Sequence, residues 1–313
     1  MATKKAHPGR PKSAPKTTLP EIRRIIAEPD NPANDLEFMY SEPSVFKCIF
    51  NYFHSSKSRD IVMQCTSTKI VFFAKTQSDM SRSMIEIDGN MVTKYFCRSD
   101  RVLKIQLDDV LHHFKSIDAT THMVEINQAT ASPDELMILL HDYNQGKSSD
   151  RTFMLNNFVI PHDLFDTEFI VKDLLHTFHV KFNQTAKQFK KTITDLHNYK
   201  SMGTSAVLEK TPATHLQFTI SHLSQHFKVV YERDEAIGLE QTITGDDFLR
   251  VELQTEYMKE FAGTILNDLT IYAKNDSDIL FRSIAADEDT TVANTRAITI
   301  NTVMHQHNYH MKK

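Results

Sequence analysis

Residues 101–115, RVLKIQLDDVLHHFK, change period in the middle. Up to Leu107 they alternate: Leu103, Ile105 and Leu107 on one side, Val102, Lys104 and Gln106 on the other. That is the period-two signature of a half-buried strand. From there Leu107, Val110, Leu111 and Phe114 fall at i, i+3, i+4 and i+7, one apolar stripe on a short helix, with His112 and Lys115 facing away. The unit is a strand that runs straight into a helix, and it recurs. Residues 248–261, FLRVELQTEYMKEF, place Leu249, Val251 and Leu253 ahead of Tyr257 and Phe261, and positions 103–107 match 249–253 at a distance of 146 residues. A second match ties Phe46, Lys47 and Phe53 to Phe189, Lys190 and Leu196, 143 residues apart. The chain reads as a duplication.

Working outward, order is expected from Leu36. A short strand at 36–40 leads to Ser41 and Pro43, helix-start signals, because proline's missing N–H is not needed in the first turn. The helix buries Phe46, Ile49, Phe50 and Phe53 and turns Ser44, Lys47, Cys48 and Asn51 outward. Strand-like runs follow at 61–65, 70–74, 83–87, 94–97, 123–127, 135–140 and 152–155. Two short helices among many strands exclude a parallel βαβ sheet, which needs a helix per crossover, so the class is α+β with antiparallel sheet. The second half repeats the grammar, with a strand at 179–182, then Ala186, Phe189, Ile193 and Leu196 as the next helical stripe. Lys187, Lys190, Lys191, Thr194 and Asn198 cluster on that helix's outward face. Strands are expected at 206–209, 215–220, 228–232, 238–242, 269–273, 278–284 and 297–303. The expected units are a disordered basic arm (1–34), a first domain (35–156), a connecting segment (157–177), a second domain (178–304) and a tail (305–313). The connector is too apolar for a free spacer and is expected against the body or under a partner.

The 313 residues are 40% hydrophobic and 24% charged, an ordinary globular composition with room for two domains. No apolar run approaches the roughly 20 residues of a membrane-spanning helix, and the basic N-terminus lacks the apolar core of a secretory signal. Cys48, Cys65 and Cys97 suit neither a zinc site nor a disulfide framework, which points to a reducing, intracellular setting. The net charge of −4 conceals an asymmetry: residues 1–25 hold seven basic side chains against Glu21 alone. A basic arm on an acidic body is a pattern of tails that seek a polyanion.

The element order, with the wording of residues 36–53 (LEFMYSEPSVFKCIFNYF), 61–75 (IVMQCTSTKIVFFAK) and 84–90 (MIEIDGN), resembles the PCNA-type DNA sliding clamps. The similarity extends to the PCNA-like proteins of large cytoplasmic DNA viruses such as African swine fever virus. The resemblance spans about residues 36–303. It implies a homotrimeric, head-to-tail ring whose helices face a central hole around duplex DNA, which tethers a DNA polymerase and other replication or repair proteins and performs no chemistry. It implies no cofactor or metal, and a place at viral replication sites in the host cytoplasm. On this reading Lys47, Asn51, His112, Lys115, Lys187, Lys190, Lys191, Thr194 and Lys259 meet phosphates without reading sequence. The alternative for each lysine is a solvated helix face. Asp108, Asp109, Glu256 and Glu260 dilute the lining, and His54 and His112 stand where the family tends to be basic. The connector would receive hydrophobic-anchor peptides at Val159, Ile160, Leu164 and Phe165. Thr152, Phe153, Met154 and Leu155 would pair with Lys228, Val229, Val230 and Tyr231 of the next subunit, closing two strand edges. In the arm, Gly9-Arg10-Pro11 looks like an AT-hook, with Arg10 in the minor groove; a merely solvated basic tail is the other reading.

Other chemistries find little support. Asp108-Asp109 precedes a helical stripe, where acidic side chains complement the helix N-terminus. The histidines of residues 305–310 lack the fixed partners of a metal centre. No phosphate-loop, nucleophile-elbow or zinc-protease string occurs. The competing functions are a processivity factor of the same fold gripping DNA by charge as a monomer or dimer, and a DNA-processing enzyme subunit.

Overall fold

A computed structural model describes residues 24–155, 164–222, 225–265, 268–285 and 298–305. The first half runs β1 (Arg24–Ile25), β2 (Asn34–Tyr40), α1 (Pro43–Ser55), β3 (Ser58–Cys65), β4 (Lys69–Thr76) and β5 (Ser81–Asp88). It continues with β6 (Lys94–Cys97), β7 (Arg101–Gln106), α2 (Leu107–Lys115), β8 (Met123–Ala129), β9 (Glu135–Asp142) and β10 (Lys147–Met154). The second half opens with α3 (Asp166–Thr177), β11 (Val180–Gln184), α4 (Ala186–Asn198), β12 (Ser205–Lys210), β13 (Leu216–His222) and β14 (Gln225–Tyr231). It closes with β15 (Glu240–Gln241), β16 (Leu249–Gln254), α5 (Thr255–Thr264), β17 (Leu269–Ala273), β18 (Ile279–Ala285) and β19 (Ile298–Met304).

Among the described residues three sheets form, ordered β1-β6-β2-β8-β9-β10, β15-β11-β17-β18-β19-β5-β4-β3-β7 and β14-β13-β12-β16. Among them all the pairings are antiparallel except β1 with β6. The nine-stranded sheet joins the two halves where β19 lies on β5, with Ile300 opposite Ile85. Tyr52 of α1 seals this join from the helix side through hydroxyl contacts to Ser83 and Thr302.

The period change at Leu107 is a physical boundary: β7 passes into α2 with no loop, and β16 passes into α5 in the same way. The sequence match aligns Leu107 with Leu253, yet α2 begins at Leu107 and α5 at Thr255. A shift of two keeps every strand residue on its face, so the alternation cannot detect it. The apolar stripes of α1, α2 and α4 are buried as expected apart from half-buried Ala186, whereas α5 buries Met258 and Phe261 and leaves Tyr257 half-buried. Phe46 lies between Phe38, Phe72 and Phe114 at ring-centroid distances of 5.6, 6.1 and 5.7 Å, and Phe50 stacks on Phe114 at 3.9 Å. Phe189 plays this part in the second half, 5.9 Å from Phe261 and 5.7 Å from Phe281. Each such ring contributes about 1.5–3 kcal/mol on leaving water.

Some local expectations differ from the structure. Glu42, not Ser41, is the residue before α1, and it makes no capping hydrogen bond. Thr185 does cap α4, its hydroxyl accepting from the Gln188 N–H while Gln188 accepts from the Thr185 N–H. The strand expected at 238–242 shrinks to β15, because a 3-10 turn at Glu235–Ile237 ends on Gly238 at φ +55°, where a Cβ would sit 2.7 Å from Asn183 Nδ2. The connector contains a full helix, α3, which the sequence reading treated only as an apolar segment.

Candidate nucleic-acid interface

Among the described residues the helices other than α3 pack in pairs, α1 with α2 and α4 with α5, and α1 also touches α5. With the apolar stripes pinned to the sheets, the opposite faces are presented outward. On α2 that face exposes Asp108, Asp109, His112 and Lys115. On α4, Lys187, Lys191 and Thr194 are exposed and Lys190 is half-buried; on α5, Glu256, Lys259 and Glu260 are exposed. Among the described residues no ion pair engages Lys187, Lys190 or Lys191. Thr194 is satisfied locally, its hydroxyl donating to the Lys190 carbonyl at 2.7 Å. His197, on the flank of α4, has its pKa lowered by desolvation and then by the charges of Lys259 and Lys200, with Glu256 opposing. The basic side chains of this region are thus Lys187, Lys190 and Lys191 on α4 and Lys259 on α5.

The remaining expected DNA contacts are less available. Lys47 is half-buried and donates to the Ile117 carbonyl at 2.9 Å, bracing the end of α2, while Asn51 is half-buried. Arg10 lies outside the described residues. The sequence reading missed Lys57, which follows α1 at φ +57° and forms an ion pair with Glu260 of α5. Its place just beyond the helix stripe was the available signal. A polar cleft of about 540 Å³ opens here, between His54, Lys57, Arg59 and Asp108.

Asp108 and Asp109 occupy the exposed first turn of α2, and Asp246 and Asp247 lie in a turn ahead of β16. Among the described residues no group of three His, Cys, Asp or Glu side chains is placed to hold a metal ion. His305 is buried against Asp278 at 2.9 Å, and the later histidines lie outside the described residues. All three cysteines are free thiols, and among the described residues no helix is long and apolar enough to cross a membrane.

On the far side of the nine-stranded sheet, α3 buries Val171 and Leu174, with Leu164 just ahead of it, against Val62, Val71, Phe73, Met84, Leu280 and Val303. Phe165 meets Phe73 edge-on at 5.4 Å. Two ion pairs to the body, Lys69–Glu168 at 3.3 Å and Lys274–Asp173 at 3.0 Å, fix the helix along its length. The hydrogen bond from Lys172, with the charge of Lys69, holds the Glu168 carboxyl below its ordinary pKa despite partial burial. A groove of about 150 Å³ runs beside Leu164, with Val62 in its wall and Arg59, Asp60, Lys75 and Lys104 around it. Phe169 projects from the outer face of α3, 75% exposed. Val159 and Ile160 lie outside the described residues.

Of the expected interface strands, β10 and β14 each stand at the open edge of a sheet. Thr152, Met154, Lys228 and Val230 are exposed and Val229 and Tyr231 half-buried, whereas Phe153 and Leu155 are buried in their own chain.

These features meet in comparison with known proteins. The crystal structure of PCNA from Thermococcus kodakaraensis superposes with a TM-score of 0.62, covering 87% of this chain and 99% of that one at 13% identity. The fold is related to that of PCNA. In sequence, the chain is 29% identical over 302 residues to an uncharacterised protein of African swine fever virus isolate Pig/Kenya/KEN-50/1950, with 95% and 97% of the two chains aligned. The protein of the same name in the Badajoz 1971 Vero-adapted strain matches at 29% over 299 residues. No protein-family model matches the sequence.

Proposed function

We propose that the chain is a DNA sliding clamp: a homotrimeric ring around duplex DNA that tethers a polymerase and other replication or repair proteins. The observation that carries this reading is the placement of the four helices. In a fold related to PCNA, α1, α2, α4 and α5 turn their apolar faces to the sheets and their polar faces away, with three lysines on α4 outside any described ion pair. Such a face offers phosphates mobile cations and nothing that reads bases.

On this reading residues 35–156 and 178–304 are repeated domains, joined by the segment 157–177. β10 stands at an edge of the six-stranded sheet and β14 at an edge of the four-stranded one. Joining unlike edges between copies generates a ring if the rotation closes, and it removes both exposed edges. Encirclement then supplies residence time, so weak contacts suffice on a surface that mixes Lys187 and Lys191 with Asp108, Asp109, Glu256 and Glu260. The groove beside Leu164 and Phe165 would take the hydrophobic anchor of a partner peptide, raising the partner's effective concentration at the DNA. The free cysteines and the kinship with a viral protein fit work at replication sites inside the infected cell.

The test joins mass with topology. Light scattering on the full chain over a concentration range should converge on three chains, and protein assembled on nicked circular DNA should resist a salt wash that strips it from linear DNA. A single chain at every concentration, released equally from circles and linear duplex, would replace the ring by charge-based gripping. Metal-dependent DNA cleavage would point to an enzyme instead.

A further inference from the structure

The join of β5 with β19 inside the chain is a template for how the edge strands β10 and β14 could pair between copies. Starting from the fourth-last residue of β7, Leu103 faces Met63, Met63 faces Phe72, and Phe72 faces Ile85. The same walk from the fourth-last residue of β16 runs from Val251 to Leu208, Phe218 and Val229. Val229 is thus the counterpart of Ile85. On the other side, Tyr40 ends β2 and leads through Val124 and Leu140 to Ser149. Gln184 ends β11 and leads through Leu269 and Ser283 to Ile300. Ser149 is thus the counterpart of Ile300. Burial agrees with the phase: four residues on, Phe153 and Met304 are 4% and 1% exposed.

Within the chain Ile300 faces Ile85, Asn301 faces Met84, and Thr302 faces Ser83. Transferred to a second copy, this register sets Ser149 against Val229, Asp150 against Lys228, and Arg151 against Phe227. The two faces then separate cleanly. Met84 points to the outer side of the nine-stranded sheet and Ile85 to the helix side, so Asp150 and Lys228 meet on the outside. Arg151, whose guanidinium lies 5.3 Å from the Phe153 ring of its own chain, arrives on the helix side opposite Phe227, which is stacked on Tyr199 at 3.9 Å. Residues 147–152 of β10 are all exposed, and among the described residues neither Asp150 nor Lys228 takes part in an ion pair.

We propose that β10 of one chain pairs with β14 of the next in this register, held by Asp150 opposite Lys228 and by Arg151 on the Phe227–Tyr199 pair. The proposal rests on the ring reading and adds to it the residues that meet and a consequence. The join inside the chain is sealed by Ile85, Ile300 and the buried Tyr52 hydroxyl, whereas the seam between chains relies on an exposed charge pair and a cation on an aromatic face. Salt screens exposed pairs. The ring therefore opens at its seams as salt rises, while the joins within each chain stay shut. The register also moves the contact toward residues 149–151, ahead of the stretch 152–155 expected from the sequence.

The experiment is the mass of the full chain against concentration, at low and high salt, for wild type, Asp150→Lys, Lys228→Asp and the double variant. Both positions are exposed, so folding is preserved. Each single reversal should move the assembly midpoint to about tenfold higher chain concentration, and the double should return most of that shift. A second variant pair, Asp150→Cys with Lys228→Cys, should form disulfides between chains under a mild oxidant, since directly opposed strand residues lie about 4.5–5.5 Å apart at Cα. A wild type that assembles while ignoring both reversals, with no cross-linking, overturns the register and leaves the ring intact. A wild type that is one chain at every concentration overturns the ring and the seam with it.

Discussion

Replacing Lys187, Lys190 and Lys191 together by Ala should alter the salt dependence of DNA binding more than any other change to the helix faces. Counterion release makes log K fall with log salt by about 0.9 per phosphate neutralised on duplex DNA. A fourfold rise in salt then costs about half a decade per contact, or roughly 40-fold for three contacts. None of the three lysines has a described ion pair, so each is free to serve a phosphate. Lys57 and Lys47 provide the contrast, because Lys57 is matched by Glu260 and Lys47 is spent on the Ile117 carbonyl. Fluorescence anisotropy of a short labelled duplex, titrated at several salt concentrations, reads the slope directly. The triple variant should flatten it by up to about 2.7 per chain engaged, with the mass of the assembly unchanged. Lys47→Ala or Lys57→Ala should each leave it nearly as in wild type. The reverse pattern, a flat response to the triple and a large one to Lys47 or Lys57, would refute the placement of DNA along α4.

Three further outcomes concern stability. Lys94 and Glu37 are 5% and 1% exposed and 2.9 Å apart, so Lys94→Met removes the counter-charge of a buried carboxylate that keeps only its hydrogen bonds from Asp30, Asn31 and Asn34, and should cost about 3 kcal/mol, read as a lowered thermal midpoint; an unchanged midpoint would mean that those hydrogen bonds suffice. A Cβ at Gly89 would sit 2.8 Å from Ile25 Cγ1, the Thr68 carbonyl and Tyr95 Cδ1, so Gly89→Ala should release β1 from β6, at about 1–3 kcal/mol, and quicken proteolysis near residue 25. Cleavage at the wild-type rate would contradict that packing. His113 is pushed below its ordinary pKa by desolvation, with the charges of Arg151 and His112 adding to it and the Ile138 carbonyl and Asp150 opposing. The unfolded chain therefore takes up this proton first, and stability should fall as pH drops through about 6.5. His113→Gln should flatten urea midpoints measured between pH 7.5 and 5.5, and equal slopes would remove His113 as a source of acid lability.

The strand–helix units were legible because alternation and helical spacing are both local, and they change over at a single residue, Leu107. The burial of Phe46, Phe50, Phe189 and Phe261 follows from the same spacing. The connector helix was missed although Val171, Leu174, Leu175 and Phe178 lie at i, i+3, i+4 and i+7 behind Asp166 and Glu168, which suit a first turn. Read as an apolar run, that stretch lost its period. The pairing of β5 with β19 was out of reach, since strands more than 200 residues apart carry no mutual signal in one sequence. The state of individual lysines was equally hidden: outward spacing is common to Lys47 and Lys191, and only three dimensions reveal that one of them is spent on a carbonyl.

The long-range join also dictates an order of events when the chain is made. β5 emerges early, with one side of its backbone unpaired, and its partner β19 is synthesised about 200 residues later. At roughly 5–20 residues per second, that edge waits on the order of 10–40 s. Strand pairs so distant in sequence also bear the heaviest loop-closure entropy and form late. A nascent first half thus displays β5 as a bare edge, which the finished chain covers with β19. Crowded synthesis on one messenger would favour pairing between neighbouring unfinished chains, and a chaperone holding the first half until residue 304 has been added would raise the yield of properly joined molecules.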